Sequence, residues 1–364
     1  MFQPIAGIYG NVDEIDFTSL YPSIIVQSNL SPETVGHPGR RGFLSSALDP
    51  LVSLRVMTKR MKKTDPQIAG IDSILKWMLV TCFGYTGYKN AKFGRIEVHE
   101  AITGLSRDIL MHTKDIAESM GFTVLHGIVD SLWVQGPSVG DLKERVDRET
   151  GLPVEAEHFN WIVFLPMKDG TGAYNRYYGR LDDGSVKVRG IAARRHDTPE
   201  YIRIMQSDML TVMSRATCIA DLELLYGEVR DLYQSAVQRL PHADPKEMVI
   251  NRRISRLTYA HRCLEGAAVD AHMRSGAGVA PGMKIGYVVR HAGSYLVDTE
   301  WDAEKFDILY YRALLDKAWE EIEFAFRGAG CPEMPRVLKK SLAKTDILAR
   351  QGIEENGVTR LESR

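Results

Sequence analysis

The stretch Asp16-Phe17-Thr18-Ser19-Leu20-Tyr21-Pro22-Ser23 ends an apolar segment in a carboxylate and sets a tyrosine five residues further on. A second acid, Asp130, interrupts the apolar run His126-Gly127-Ile128-Val129-Asp130-Ser131-Leu132-Trp133-Val134, as a strand-turn-strand hairpin would present it. Two such acids from separate segments could hold a pair of Mg²⁺ ions that clamp the attacking and leaving oxygens of a phosphoryl transfer. Taken singly, each acid is equally well read as a strand-end cap or a turn former. Order and spacing separate the two readings. Between the acids lies a basic helical hairpin with Arg55, Lys59 and Lys76, so metal ligands and phosphate ligands alternate along the chain.

The chain of 364 residues, 44% of them hydrophobic, is long enough for two or three compact units with a sizeable core. No uninterrupted run of eighteen apolar residues occurs, and Met-Phe-Gln-Pro-Ile-Ala-Gly lacks the regions of a signal peptide. A cytoplasmic location with no membrane contact is the default expectation. Cys82, Cys218, Cys263 and Cys331 form no Cys-x-x-Cys pair, so they read as buried apolar residues rather than a zinc or iron–sulfur site.

A formal net charge of −1 is unusual for a protein that handles nucleic acid, because neutralising phosphates supplies most of the affinity. The distribution is uneven, however. Residues 36–64 carry Arg40, Arg41, Arg55, Lys59, Arg60, Lys62 and Lys63 against Asp49 alone, 252–262 adds Arg252, Arg253, Arg256 and Arg262, and the acids gather in 298–323. Such segregation fits a basic channel as well as solvated helix faces.

Periodicity gives a strand over 5–15, a short helix from Leu20 to Gln27 and a loop from Leu30 to Gly42. Helices follow over Phe43–Lys63 and Ile68–Phe83, broken by Asp65-Pro66, then a weak strand over Phe93–Glu97 and a helix from His99 to Ser119. The Thr123–Gln135 hairpin, a helix over Asp141–Thr150 and strands over Pro153–Leu165 and Tyr177–Val188 complete an α+β unit with a mixed or antiparallel sheet. From Pro199 the pattern turns helical (Glu200–Ser214, Ile219–Gln238, Pro245–Arg253 and His261–Arg274), with a small extended region around Gly282–Val297. That places a boundary near residue 195.

Asp16 to Ile25 resembles motif A of the B-family DNA polymerases, Lys76 to Gly84 with Tyr85-Thr-Gly-Tyr88 resembles motif B, and His126 to Ser131 resembles motif C. Tyr177 to Gly184 and Lys187 to Pro199 are similar to that family's palm–thumb junction, and Ala280 to Val289 with Tyr310-Tyr311 to its thumb. The resemblance implies palm segments at 1–42 and 91–195, fingers at 43–90 and a mostly helical thumb at 196–364. It further implies template-directed primer extension with dNTPs on primer-template DNA, using two Mg²⁺ ions, with Mn²⁺ as a substitute.

Under that resemblance Asp16 and Asp130 are the catalytic metal ligands, joined by the Phe17 carbonyl. Glu157 lies where relatives place another carboxylate, and as a plain feature it is a solvated strand acid. Arg55 and Lys59 share a helix face, and Lys76 on the facing helix would join them at the nucleotide triphosphate, with Ser19, Leu20 and Tyr21 beside it. Tyr21 corresponds to the ring that excludes a ribose 2′-hydroxyl; a core tyrosine is the plainer alternative. Phe83 and Gly84, then Arg176, Tyr177, Lys187 and Arg189, fall where relatives contact DNA, although exposed strand bases would look the same.

The chain departs from the family at several points. Motif C reads Ile128-Val129-Asp130 in place of Asp-Thr-Asp, and motif B reads Val80-Thr81-Cys82-Phe83-Gly84 in place of Asn-Ser-x-Tyr-Gly. About fifteen residues precede motif A, so the exonuclease and N-terminal domains are expected from a second chain or not at all. A divergent prokaryotic subgroup shares such changes. The competing readings are a weak or inactive polymerase-like DNA-binding subunit and a metal-dependent nuclease; the second has no account of Arg55, Lys59 and Lys76 in order.

Overall fold

A computed structural model describes residues 2–35, 39–62 and 64–327. Lys63, Cys331, part of the 30–42 loop and the end of the expected helical remainder lie outside these. The chain forms two compact units. Of the described residues, the first takes in those up to Phe164, Ala173–Gly190 and Leu210–Asp221; the second takes in Leu165–Gly172, Ile191–Met209 and those from Leu222 on.

The first unit is built on a six-stranded sheet. Its strands are β1 (Gly7–Phe17), β2 (Thr123–Ile128), β3 (Ser131–Gln135), β4 (Val154–Pro166), β5 (Gly172–Leu181) and β6 (Val186–Arg189), in the order β2-β3-β1-β4-β5-β6. β1 runs antiparallel to both β3 and β4. Because side chains alternate across a strand, Ile15 and Phe17 enter one face while Val12, Glu14 and Asp16 share the other. On the first face they pack with Leu20, Ile24 and Ile25 of α1 (Leu20–Gln27), Leu48 of α2 (Phe43–Met61) and Leu79 of α3 (Ile68–Thr86). Val98, Ile102 and Leu110 of α4 (Ile96–Ser119) and Leu142 of α5 (Val139–Thr150) close the same core. On the opposite face Val12, Trp133, Phe159, Phe164 and Tyr177 make a second, aromatic core. Gly179 is required there, since a Cβ would meet the Phe159 ring and the Trp161 carbonyl at 2.7 Å.

Two sequence expectations fail in this unit. Phe93–Glu97 forms no strand, because α4 already starts at Ile96. The 177–188 segment is two strands, folded back at Asp182-Asp183-Gly184, where Gly184 takes φ 83°.

In the second unit α6 (Glu200–Met213) and α7 (Ile219–Arg239) follow the helical pattern, but Pro245–Arg253 is a single 3₁₀ turn leading into a strand. That strand, β7 (Ile250–Arg253), pairs with β8 (Lys284–His291), which pairs with β9 (Leu296–Thr299). Tertiary pairing overrides local helix propensity here: Ile250, Tyr287, Val289 and Val297 bury against Ala268 and Val269 of α8 (Leu264–Arg274) and Tyr311 of α9 (Ile308–Glu323).

α2 and α3 form the expected helical hairpin. By length and composition α3 could cross a membrane, although its charges Asp72 and Lys76 interrupt the apolar run. Asp72 instead ties α3 to α2. Its carboxylate accepts from Arg55, from Thr58 Oγ1 at 3.1 Å and from Lys62 Nζ at 2.8 Å, and the Arg55 and Asp72 side chains are only 6% and 4% exposed. Removing one partner of a buried pair strands the other charge. Asp72→Ala is therefore expected to destabilise by about 3–5 kcal/mol, and Lys62→Ala, at the rim, by under about 1 kcal/mol. Urea unfolding followed by far-UV circular dichroism measures both, and equal small effects would contradict the buried-pair account.

Candidate active site

Asp16 is the second-last residue of β1, opposite Ser131 on β3 and Glu155 on β4. Asp130 sits in the two-residue turn between β2 and β3. The Phe17 N–H donates to the Asp130 carbonyl at 2.9 Å, which fastens that turn to the end of β1. The turn puts Val129 at φ 55°, and Ser19, just past β1, at φ 57°. A β-branched residue rarely adopts this region, and strained backbone of this kind concentrates at functional sites. Sequence patterning gave no sign of either.

The two acids border one cleft of about 740 Å³. Asp16 Oδ1 accepts from Ser131 Oγ at 3.0 Å and Oδ2 from Lys59 Nζ at 3.2 Å. Lys59 also donates to Thr18 Oγ1 at 3.1 Å and lies 3.8 Å from Glu155. Beside this group, Lys187 Nζ donates to both Glu14 and Glu157 at 2.7 Å. Glu14 and Glu157 face each other across β1 and β4, so one ammonium serves two carboxylates.

Electrostatics follow from burial and crowding. Burial pushes the Asp130 carboxyl up to about 6, and neighbouring Asp16 adds to the rise, while Lys76 and Lys59 oppose it. Burial likewise lifts Glu14 to about 7 against the pull of Lys187. The Lys187 ammonium is held above its ordinary range by these two acids, although burial works the other way. Lys187 thus stands between two carboxylates, of which Glu14 is the more buried.

These groups suit a hard divalent cation. Carboxylate oxygens and a backbone carbonyl are the donors that Mg²⁺ and Mn²⁺ favour, and a cation between Asp16 and Asp130 would relieve the repulsion that raises Asp130. Among the described residues no cluster of three or more His, Cys, Asp or Glu side chains forms a complete metal site. Mg²⁺ commonly completes its shell with water and substrate phosphates.

Most of the residues singled out in the sequence come together here. Phe17, Ser19, Leu20, Tyr21 and Lys76 line the cleft, as do Tyr177 and Arg189, with Arg189 exposed. Arg55 also reaches it, but its guanidinium is held by Asp72. Lys187 reaches it with its ammonium committed to Glu14 and Glu157. Phe83, Gly84 and Arg176 are not among the lining residues; Phe83 instead packs on the Tyr21 ring, 4.2 Å between centroids. Sequence reasoning passed over Glu14 and Glu155. The alternation from Asp16 to Glu14 was the available signal for the first; the second needs the strand register.

The raised Asp130 has a consequence for stability. Its folded pKa of about 6 exceeds the ordinary aspartate value of 3.8, so between these pH values the folded chain holds more protons than the unfolded one, and stability falls as pH rises. In metal-free buffer Asp130→Asn is expected to match wild type near pH 4 and exceed it by about 1–3 kcal/mol at pH 8. Denaturation curves at the two pH values measure this; a variant less stable than wild type at pH 8 would contradict it.

The family model for DNA polymerase family B matches residues 1–41. DNA polymerase 2 of Saccharolobus solfataricus is 36% identical over 259 residues, covering 68% of this chain and 40% of that protein. A DNA polymerase of Archaeoglobus fulgidus is 31% identical over 58% of the chain and 30% of its own length. One of Thermococcus sp. is 24% identical over 98% of the chain and 48% of its own length. The structure of the family B DNA polymerase from the archaeon Pyrobaculum calidifontis aligns over 91% of this chain and 47% of that one, at TM-score 0.58 and 24% identity, a likeness of fold. On these matches the chain belongs to DNA polymerase family B, as a segment spanning less than half the length of these relatives.

Proposed function

We propose that this segment is the catalytic portion of a DNA-directed DNA polymerase that extends a primer on a DNA template with dNTPs. The observation that carries the reading is the meeting of Asp16 and Asp130 at one cleft with Lys59 and Lys76 on its wall. In this reading 1–42 and 91–195 are palm, 43–90 fingers and 196–364 thumb. Mg²⁺ ions held by Asp16, Asp130 and the Phe17 carbonyl would lower the charge on the reacting phosphate and the primer 3′-oxygen, with Mn²⁺ able to replace them and Glu157 close by. A cytoplasmic site of action goes with this substrate.

The protein's own groups divide the remaining work. Lys76 offers a compact cation to the triphosphate. Lys59 is positioned to leave the Asp16 carboxylate for an incoming phosphate, and Arg55 acts mainly by fixing the hairpin that carries Lys59. Ser19, Leu20 and Tyr21 border the nucleotide sugar. Arg189, exposed at the cleft edge, is the better candidate for the DNA backbone, with Arg176, Tyr177, Phe83 and Gly84 shaping the path; Lys187 serves to hold Glu157.

A second reading, a polymerase-like subunit that binds DNA and turns over poorly, draws on the apolar Ile128 in motif C and on the Lys59–Asp16 ion pair. Primer extension separates the two. Asp16→Ala and Asp130→Ala are each expected to lower the rate by about 10²-fold or more, and activity surviving both would overturn the assignment. DNA affinity without extension by the wild type would favour the second reading. Tyr21→Ala is expected to gain ribonucleotide incorporation with the fold intact, whereas a tyrosine with a core role alone would lose stability without that gain.

A further inference from the structure

Tyr21 does not stand alone at the cleft. Its ring lies against Phe83 of α3, 4.2 Å between centroids and tilted by 34°, and Phe83 lies in turn on His99 of α4, 4.6 Å away and within 19° of parallel. Three helices thus meet through three rings, at distances typical of favourable aromatic pairs. His99 is itself held. Thr86 Oγ1 donates its one hydrogen to the Phe83 carbonyl at 2.7 Å, so its contact with His99 Nδ1 at 3.2 Å needs a proton on that nitrogen. Gly87, just past α3, leaves the space the imidazole uses, for a Cβ there would meet Nδ1 at 2.9 Å.

Neither His99 nor Thr86 lines the cleft. They can affect a bound nucleotide only through Phe83 and Tyr21. Tyr21 is partly exposed to the cleft, and burial, with Asp130 adding to it, pushes its phenol up, while a hydrogen bond with Ser106 of α4 works the other way. Any sideways freedom of this ring would change the space left for a sugar.

We propose that His99 is a positioning residue for sugar selection: it backs Phe83 and so holds the Tyr21 ring at the depth that admits a deoxyribose and excludes a ribose. This rests on the polymerase reading above. A flat ring at 99 is what the stack requires; the hydrogen bond to Thr86 sets its angle. Loss of the ring lets Phe83 tilt back and Tyr21 follow.

The test is the ratio of kcat/KM for a dNTP to that for the matching rNTP in single-nucleotide primer extension. For His99→Ala the ratio is expected to fall by about three- to tenfold, as one aromatic contact is worth, with kcat for the dNTP within about twofold of wild type. His99→Phe, which keeps a flat ring, is expected to retain most of the wild-type ratio. If His99→Ala fails to fold, His99→Leu, with bulk but no flat ring, must lower the ratio instead. An unchanged ratio in the ring-less variant, while Tyr21→Ala abolishes discrimination, overturns this proposal and leaves the polymerase reading standing. Absence of extension by the wild type overturns both.

Discussion

One backbone hydrogen bond fixes the site, the donation from Phe17 N–H to the Asp130 carbonyl. It joins the end of a central strand to the tip of a hairpin more than a hundred residues further along the chain, and the register Asp16↔Ser131 follows from it. A slip of one residue would send Asp16 into the helix-covered core and bring Ile15 or Phe17 to the cleft. The two large side chains that flank Asp16, buried among α1 to α5, therefore guard against that slip. Packing on one face of β1 specifies chemistry on the other.

Several cations of the first unit already have work within the fold. Arg55 and Lys62 share Asp72, Lys59 bridges Asp16 and Glu155, and Lys187 bridges Glu14 and Glu157. These bases neutralise site acids before any phosphate arrives. Lys59 is the informative case. A lysine at 3.2 Å from the carboxylate expected to take a divalent cation lowers the repulsion between Asp16 and Asp130 in the cation's place, and a phosphate entering the cleft offers the same lysine a second anionic partner.

Much of this was legible in the residues. The strand-turn-strand around Asp130, the helical hairpin broken at Asp65-Pro66 and the alternation ending at Asp16 are local patterns with local causes, and the elements form close to the expected bounds. β7 was not legible, since Ile250–Arg253 becomes a strand only by pairing with β8 some thirty residues later. Nor was the commitment of Arg55 to Asp72 or of Lys187 to Glu14. A basic residue reads the same in sequence whether it awaits a ligand or already holds an acid, and only the packing of α2 on α3, or of β6 near β1, decides. His99 escaped notice for a related reason: its role depends on a stack whose members come from three helices.

The apolar residue in motif C bears on how such a site could still work. Ile128 borders the cleft next to the turn that carries Asp130, and burial is the leading cause of the raised Asp130. A drier surround makes the carboxyl harder to ionise, yet the same low polarity strengthens its attraction for any cation that does arrive. In the proposed polymerase reading, isoleucine in place of a motif acid would remove one candidate ligand and leave Asp130 in drier surroundings, where a cation, once bound, would be held more strongly.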